Sequence, residues 1–508
     1  MKHLLAVALV LLTTGCITSR YQRRGVEDPL EPISLSEFEQ SPVPHDEQIN
    51  LEARSIERFK DPAFKVGIIE FTEEGFVNTA QETTVIDMVR RTVDDAAHGT
   101  VLVVFAHGWH HSCRTCDDNL TCFRRVLNAL AQVEALPVGR HREVVGVYLG
   151  WRGRVFENQK LDYATIWNRK PVAEHIGRTG AKEVLFQLHE IWISHKEPGN
   201  KQPVLMISVG HSLGGTMLLS AIRGRLTGNI DDIVNPGSTS VYRIVRSFGE
   251  RHSGDKRKAL RARFGDLVVL VNPAIEAARY GEFDNDLKDV RTATMNPDEL
   301  RAHRIPPDKN KPYDVNQLPI MLTISSSDLA DWPNGILFPP ARVLSVLNVF
   351  GNPALPRWSE LAALGHYGAS ITHTLHFDDQ KHPINAQEAP SCGCRGDWES
   401  RIVSKEPFFE LSAPPEILGA TVKGGKVGTG DVSYAFKLTK GRKCEEGSGC
   451  RGWDPHSPFV VISTDPTVIR DHNDIFNPVF VGFLRMYIRA IEKELLDPTT
   501  GLRTKSAY

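Results

Sequence analysis

The feature that most constrains this chain is a series of short, unbroken apolar runs. KVGIIEF (65–71), VLVVFAHGW (101–109), EVVGVYLGW (143–151), PVLMISVG (203–210), DLVVLVNPA (266–274), PIMLTISSS (319–327) and PFVVISTD (458–465) do not alternate with polar residues. Strands of that kind suit a sheet covered on both faces. Helical spacing separates several of them, at 80–97 (Val85, Met88, Val89, Val93), 119–133, 172–196 and 213–226, and an amphipathic helix follows at 475–496. The alternation predicts an α/β fold: right-handed βαβ units building a mostly parallel central sheet with helices on both faces.

Between these elements lie long polar intervals with scattered Pro and Gly, at 227–265, 275–317 and 340–457. They read as loop-rich insertions into a single domain spanning 61–500; the Cys-containing part, 390–455, also holds a strand-like SYAFKLT (433–439) and reads as a disulfide-stapled excursion. Residues 17–60 (RYQRRG, EDPLEP, SPVPHDEQ) read as a tether. The N-terminus, MKHLLAVALVLLTTGC, carries Lys2, an apolar core at Leu4–Leu12 and small residues before Cys16. Such a core is too short to span a bilayer and reads as an export signal over residues 1–16. It resembles the bacterial lipoprotein signal, which implies lipid attachment at Cys16, although Thr13 stands where that pattern usually has Leu. The expected location is the cell envelope, facing the periplasm or the exterior, with acyl chains as the membrane anchor.

The other seven cysteines fit an oxidising compartment. They are Cys113, Cys116, Cys122, Cys392, Cys394, Cys444 and Cys450. The last two flank a Gly-rich turn and form the expected disulfide; the other connectivities stay open. The C-x-x-C beside His107, His110 and His111 lacks the second spaced pair of a zinc site, so no metal is expected. His110 and His111 are expected at the rim of a substrate cleft. A net charge of −2 in 508 residues gives no reason to expect a nucleic acid partner.

The chemistry centres on VLMISVGHSLGGTMLL (204–219). Gly210-His211-Ser212-Leu213-Gly214 is G-x-S-x-G, a weak pattern alone. Here it follows a strand and opens a helix, as a nucleophile elbow requires. Ala106-His107-Gly108-Trp109 ends an earlier strand, SSSDLADW follows a later one, and DHND comes after the last. This ordered set resembles the α/β-hydrolase superfamily, especially its lipase-like and esterase-like members, over roughly 65–275, 318–345 and 457–495.

The resemblance implies an α/β-hydrolase fold with Ser212 as nucleophile and His472 as base. Trp109 and Leu213 would supply the backbone N–H groups of an oxyanion hole. His366, His373, His376 and His456 precede the final strand's end and fit the base less well. Two acids compete, Asp328 and Asp331. Position favours Asp328, first after the strand; Asp331-Trp332 resembles an Asp-Trp pair of some relatives. The implied activity is hydrolysis of carboxylic esters, lipids among them, through an acyl-enzyme and without a cofactor. Acyl transfer to an alcohol, or an inactive hydrolase fold acting as a surface binding protein, are the alternatives.

Overall fold

The computed structural model describes Arg23 and residues 32–40, 54–115, 117–135, 141–155, 162, 165–195, 203–227, 264–281, 319–327, 329–339, 358–377, 436–440, 459–477, 479–485 and 487–488. Cys16 and the signal, Asp328, Cys444 and Cys450 lie outside the described residues, as do 228–263, 282–318, 340–357, 378–435 and 441–458 of the expected insertions.

Among the described residues, eleven strands form one sheet in the order β1-β2-β3-β5-β4-β6-β7-β8-β11-β9-β10. They are β1 (Ile33–Ser34), β2 (Ile56–Lys60), β3 (Phe64–Glu70), β4 (Thr100–Ala106), β5 (Glu143–Gly150), β6 (Val204–His211), β7 (Leu267–Val271), β8 (Met321–Ser326), β9 (His373–Phe377), β10 (Phe436–Lys440) and β11 (Phe459–Thr464). Every pairing from β3 across to β9 is parallel. Only β2 against β3 and β10 against β9 run antiparallel. The register aligns Ala106 with Gly210, Gly210 with Leu270, Leu270 with Thr323 and Thr323 with Val461. The chain therefore leaves β4, β6, β7, β8 and β11 along one C-terminal edge, where ligands of open α/β sheets bind.

Strand residues alternate between two apolar cores, one on each face. Ile69, Leu102, Val147, Met206 and Val268 belong to the core shared with α2 (Thr79–Asp95), α4 (Ile166–Arg178), α5 (Gly180–Ser194) and α6 (Leu213–Thr227). Ile68, Phe105, Tyr148, Ile207, Val269 and Ile462 face the other, closed by α1 (Leu35–Gln40), α3 (Asp118–Ala135) and helical residues 479–485. Gly146 lets α3 lie close on the sheet: a Cβ there would stand 2.2 Å from Leu127 Cδ1 and 2.8 Å from the Phe123 ring.

Three expectations change. The single helix expected at 172–196 is two, α4 and α5, broken at Thr179 (φ −118°, ψ −111°). The break seats Gly180 against the turn after β3, where its N–H donates to Gly75 O at 3.0 Å. The interval 340–457 contains more sheet than the strand-like SYAFKLT: that segment carries β10, and an unexpected strand, β9, joins it to β11. β9 (HTLHF) alternates buried and exposed residues, so it never forms an apolar run.

Finally, 17–60 is not a tether throughout. Within that span β1, α1 and β2 are part of the domain, and Arg23 is almost wholly buried. Its backbone N–H donates to Glu70 Oε1 (2.8 Å), its Nε to Cys113 O (2.8 Å) and its Nη1 to Glu57 Oε1 (3.0 Å). Its polar character, read as solvated chain, is matched by carboxylates and carbonyls waiting on the sheet edge.

Arg124 grips the same Glu57 in a fork, Nε to Oε2 at 2.7 Å and Nη2 to Oε1 at 2.8 Å. Burial alone would raise the Glu57 pKa; the charges of Arg124 and Arg23 outweigh it and hold the carboxyl at about 2, below its ordinary 4.5. A carboxylate depressed in the folded state stabilises above its unfolded pKa and loses that contribution as pH falls through its folded one. Urea unfolding midpoints should therefore drop steeply between pH 4.5 and 2. Glu57→Gln should lose about 3–5 kcal/mol at pH 7 and flatten that dependence. An unchanged slope in the variant would remove Glu57 from the account.

Candidate functional site

Ser212 sits between β6 and α6 with φ +54°. A left-handed backbone at a non-glycine residue costs of order 1–3 kcal/mol, so the surroundings must impose it. Ser212 N donates to Val271 O (3.0 Å), while its carbonyl accepts from Gly215 N (3.0 Å), Thr216 N (3.3 Å) and Ala274 N (3.2 Å). The flanking glycines are there for close approach. A Cβ on Gly210 would lie 2.7 Å from Gly215 Cα, and one on Gly214 only 2.1 Å from Ala106 O.

The His107–Trp109 corner touches the serine: a Cβ on Gly108 would stand 2.9 Å from Ser212 Cβ. His107 is a scaffold residue here. Its Nε2 accepts from Trp151 N (3.1 Å), so its Nδ1–H donates to Gly108 O (2.9 Å). Burial drives its pKa down to about 4 and keeps it neutral. The Trp109 indole is turned to Thr165 Oγ1 (3.2 Å) and stacks on His110. Its backbone follows directly on Gly108, the residue packed against Ser212 at the N-terminus of α6. There Leu213, as first helical residue, has an N–H with no acceptor within the helix.

His472 Nε2 lies 2.9 Å from Ser212 Oγ, and its Nδ1 lies 2.6 Å from Asp331 Oδ1. With Nδ1–H donating to the carboxylate, Nε2 is free to accept the serine hydroxyl proton. The 465–477 loop that carries it is closed by Arg470 Nε on Asp474 Oδ2 (3.0 Å) and by Asn477 Nδ2 on Val468 O (3.0 Å). Its apex is fixed from below. The His472 carbonyl accepts from His211 Nε2 and from Asn272 Nδ2, both at 2.9 Å. Burial, then the neighbouring His472, lowers the His211 pKa far below normal, so His211 serves as a neutral donor.

The acid on this imidazole is Asp331, which corrects the positional preference for Asp328. That preference assumed that the residue nearest the strand needs the shortest turn. The chain instead coils on leaving β8: Asp331 N donates to Ser327 O (2.7 Å) and Gly335 N to Asp331 O (2.7 Å). One helical turn on from Ser327, Asp331 points back over the sheet edge and is fully buried. Its Oδ2 accepts from His366 Nε2 (2.9 Å) and Asn334 Nδ2 (3.1 Å). Burial would raise the Asp331 pKa, but the charge of His472 and the hydrogen bonds from His366 and His472 hold it well below the usual carboxylate range.

Sequence reading missed three supports, His366, Asn272 and Asn334. His366 was weighed only as a base. Asn272 signals itself weakly, as an Asn at a strand end that takes φ +44°. The rim assignment of His111 is also corrected. It is buried, with Nδ1 on Asp117 Oδ1 (3.2 Å) and Nε2 on Asn119 Nδ2 (3.0 Å). His110 is partly exposed and bound to Asp162. Cys113 packs under β5, where a Cβ on Gly150 would overlap its sulfur at 1.6 Å, and burial pushes its thiol pKa well up.

The fold and site thus define a parallel α/β protein with a hydrogen-bonded serine, histidine and aspartate at the C-terminal edge of its sheet. Compared with protein-family models, curated proteins and solved structures, the chain matches none of them.

The two acids can be separated in solution. Asp331→Asn should slow alkyl fluorophosphonate labelling of the protein by roughly 10³–10⁴, because the imidazole loses its tautomer and its counter-charge. Asp328→Asn should label at close to the wild-type rate. The reverse ranking would assign the acid to Asp328.

Proposed function

We propose that this protein is a serine hydrolase of the α/β-hydrolase type that cleaves carboxylic esters, exported and anchored by lipid at Cys16. The single observation that carries the catalytic reading is the relay from Ser212 Oγ through His472 to Asp331, at 2.9 and 2.6 Å, on a strained strand-to-helix corner. The order of HGW, GHSLGG, SSSDLAD and DHND along the chain supports the same reading.

Each step then has a residue. Ser212 Oγ attacks the ester carbonyl carbon while His472 Nε2 takes the hydroxyl proton. The carbonyl oxygen becomes an oxyanion and accepts hydrogen bonds from the backbone N–H groups of Leu213 and Trp109. Collapse breaks the bond to the leaving alkoxide, which receives the proton from His472 and departs as an alcohol. Water, deprotonated by the same imidazole, releases the acid and restores the serine. Asp331 stays ionised throughout and stabilises the imidazolium. The positive end of α6 and the buried setting strengthen the oxyanion contacts.

Ser212→Ala should abolish hydrolysis of p-nitrophenyl butyrate, lowering kcat by roughly 10⁴ or more while leaving the thermal unfolding profile in place. Wild-type turnover in the folded variant would refute the proposal.

A further inference from the structure

The large apolar side chains standing exposed among the described residues are Phe76, Leu329, Trp332 and Ile336, at 69, 83, 41 and 52%. Scattered single apolar residues on a surface need no explanation. These four are not scattered. Phe76 lies in the turn leaving β3, closed by the Phe71–Val77 bridge, and the other three lie in the coil leaving β8. Both turns stand at the same C-terminal edge, because β3 and β8 belong to one parallel set. In strand order β3-β5-β4-β6-β7-β8, they straddle Ser212 at the end of β6. At about 4.8 Å per strand, the two turns are roughly 24 Å apart with the serine between them.

The N-terminal segment reaches the body at this edge too. Arg23 is bound to Glu70, the last residue of β3, and to the Cys113 carbonyl in the loop after β4. Only six residues, seven Cα–Cα steps, separate it from Cys16. Even fully extended they reach at most about 25 Å. A lipid on Cys16 would therefore tether the chain from this edge, within about 25 Å of the bilayer.

We propose that the C-terminal edge of the sheet docks on the lipid bilayer, with Phe76, Leu329, Trp332 and Ile336 entering the headgroup–acyl boundary and Ser212 opening toward it. The docking rests on the lipid-anchor reading of Cys16, and it deepens the hydrolase reading by naming the substrate class: esters drawn from the membrane. The contact is peripheral, since no helix among the described residues is long and apolar enough to cross a membrane. Apolar aromatic and aliphatic tips on a polar surface suit that boundary.

The test uses the lipidated full chain in 3:1 phosphatidylethanolamine/phosphatidylglycerol vesicles, with and without acyl chains brominated near the headgroup. Bromine should quench part of the tryptophan fluorescence, and Trp332→Phe should remove that part. A second arm compares wild type with Phe76→Ser/Leu329→Ser. The variant should hydrolyse soluble p-nitrophenyl acetate within about twofold of wild type, yet lose roughly tenfold or more on a fluorogenic ester dispersed in the vesicles, since two apolar contacts with the bilayer are gone. No bromine quenching assignable to Trp332 would overturn the docking, as would equal vesicle activity of the double variant. A change of oligomeric state in that variant, with vesicle activity retained, would assign the patch to a second copy and likewise overturn it. Failure of the hydrolase reading is seen separately, as loss of soluble-ester turnover in the wild type with the quenching intact.

Discussion

The backbone carbonyl of His472 is the point on which the site depends. Two side chains donate to it: His211, from the end of β6, and Asn272, from the end of β7. Asn272 in turn receives Ser326 N from β8 on its own side-chain oxygen, at 2.9 Å. Its backbone carbonyl takes Asn334 Nδ2 at 2.7 Å, and that amide also reaches Asp331. Three strand-end loops are thus tied together beneath one imidazole. An exposed loop histidine would cost entropy to immobilise for every turnover. Here the ordering is built into the fold, and the ring is left to bond only to the serine and the aspartate.

The parallel sheet is what makes such a knot possible. β6, β7, β8 and β11 run side by side in register, so residues far apart in sequence emerge at one level. His472 meets Ser212 across 260 positions of chain. The polar atoms at this edge are largely paired and buried, which makes the constellation rigid and specific and raises the cost of losing any one member. Burial and pairing also set the charges. Asp331 is held ionised by its three donors, whereas His107 and His211 are held neutral and act as fixed hydrogen-bonding posts.

Much of this was legible in the amino-acid sequence because it follows from local pattern. Continuous apolar runs marked the central strands, and Ser212, with its glycines, lay at a strand-to-helix junction whose sterics leave few other residues. His472 came from the resemblance, which places the base after the last strand. What was not legible depended on how loops coil. Asp331 prevails over Asp328 through a helical turn after β8 that no spacing rule announces. The His366 contact comes from a segment 35 residues further on. β9 was hidden by its half-exposed character, and the docking of Arg23 by a polarity that reads equally well as solvated chain. The mostly parallel α/β architecture is established by the observed sheet; the hydrolase reading is a proposal that rests on the site.

The central claim is that Ser212 forms a covalent acyl intermediate. Its most direct test is rapid acid quench of the protein mixed with p-nitrophenyl butyrate, followed by peptide mass spectrometry. The account predicts a burst of nitrophenol stoichiometric with protein and a butyryl group on the peptide containing Ser212. Turnover with no acylated peptide, or a butyryl group mapped to a different residue, would contradict it.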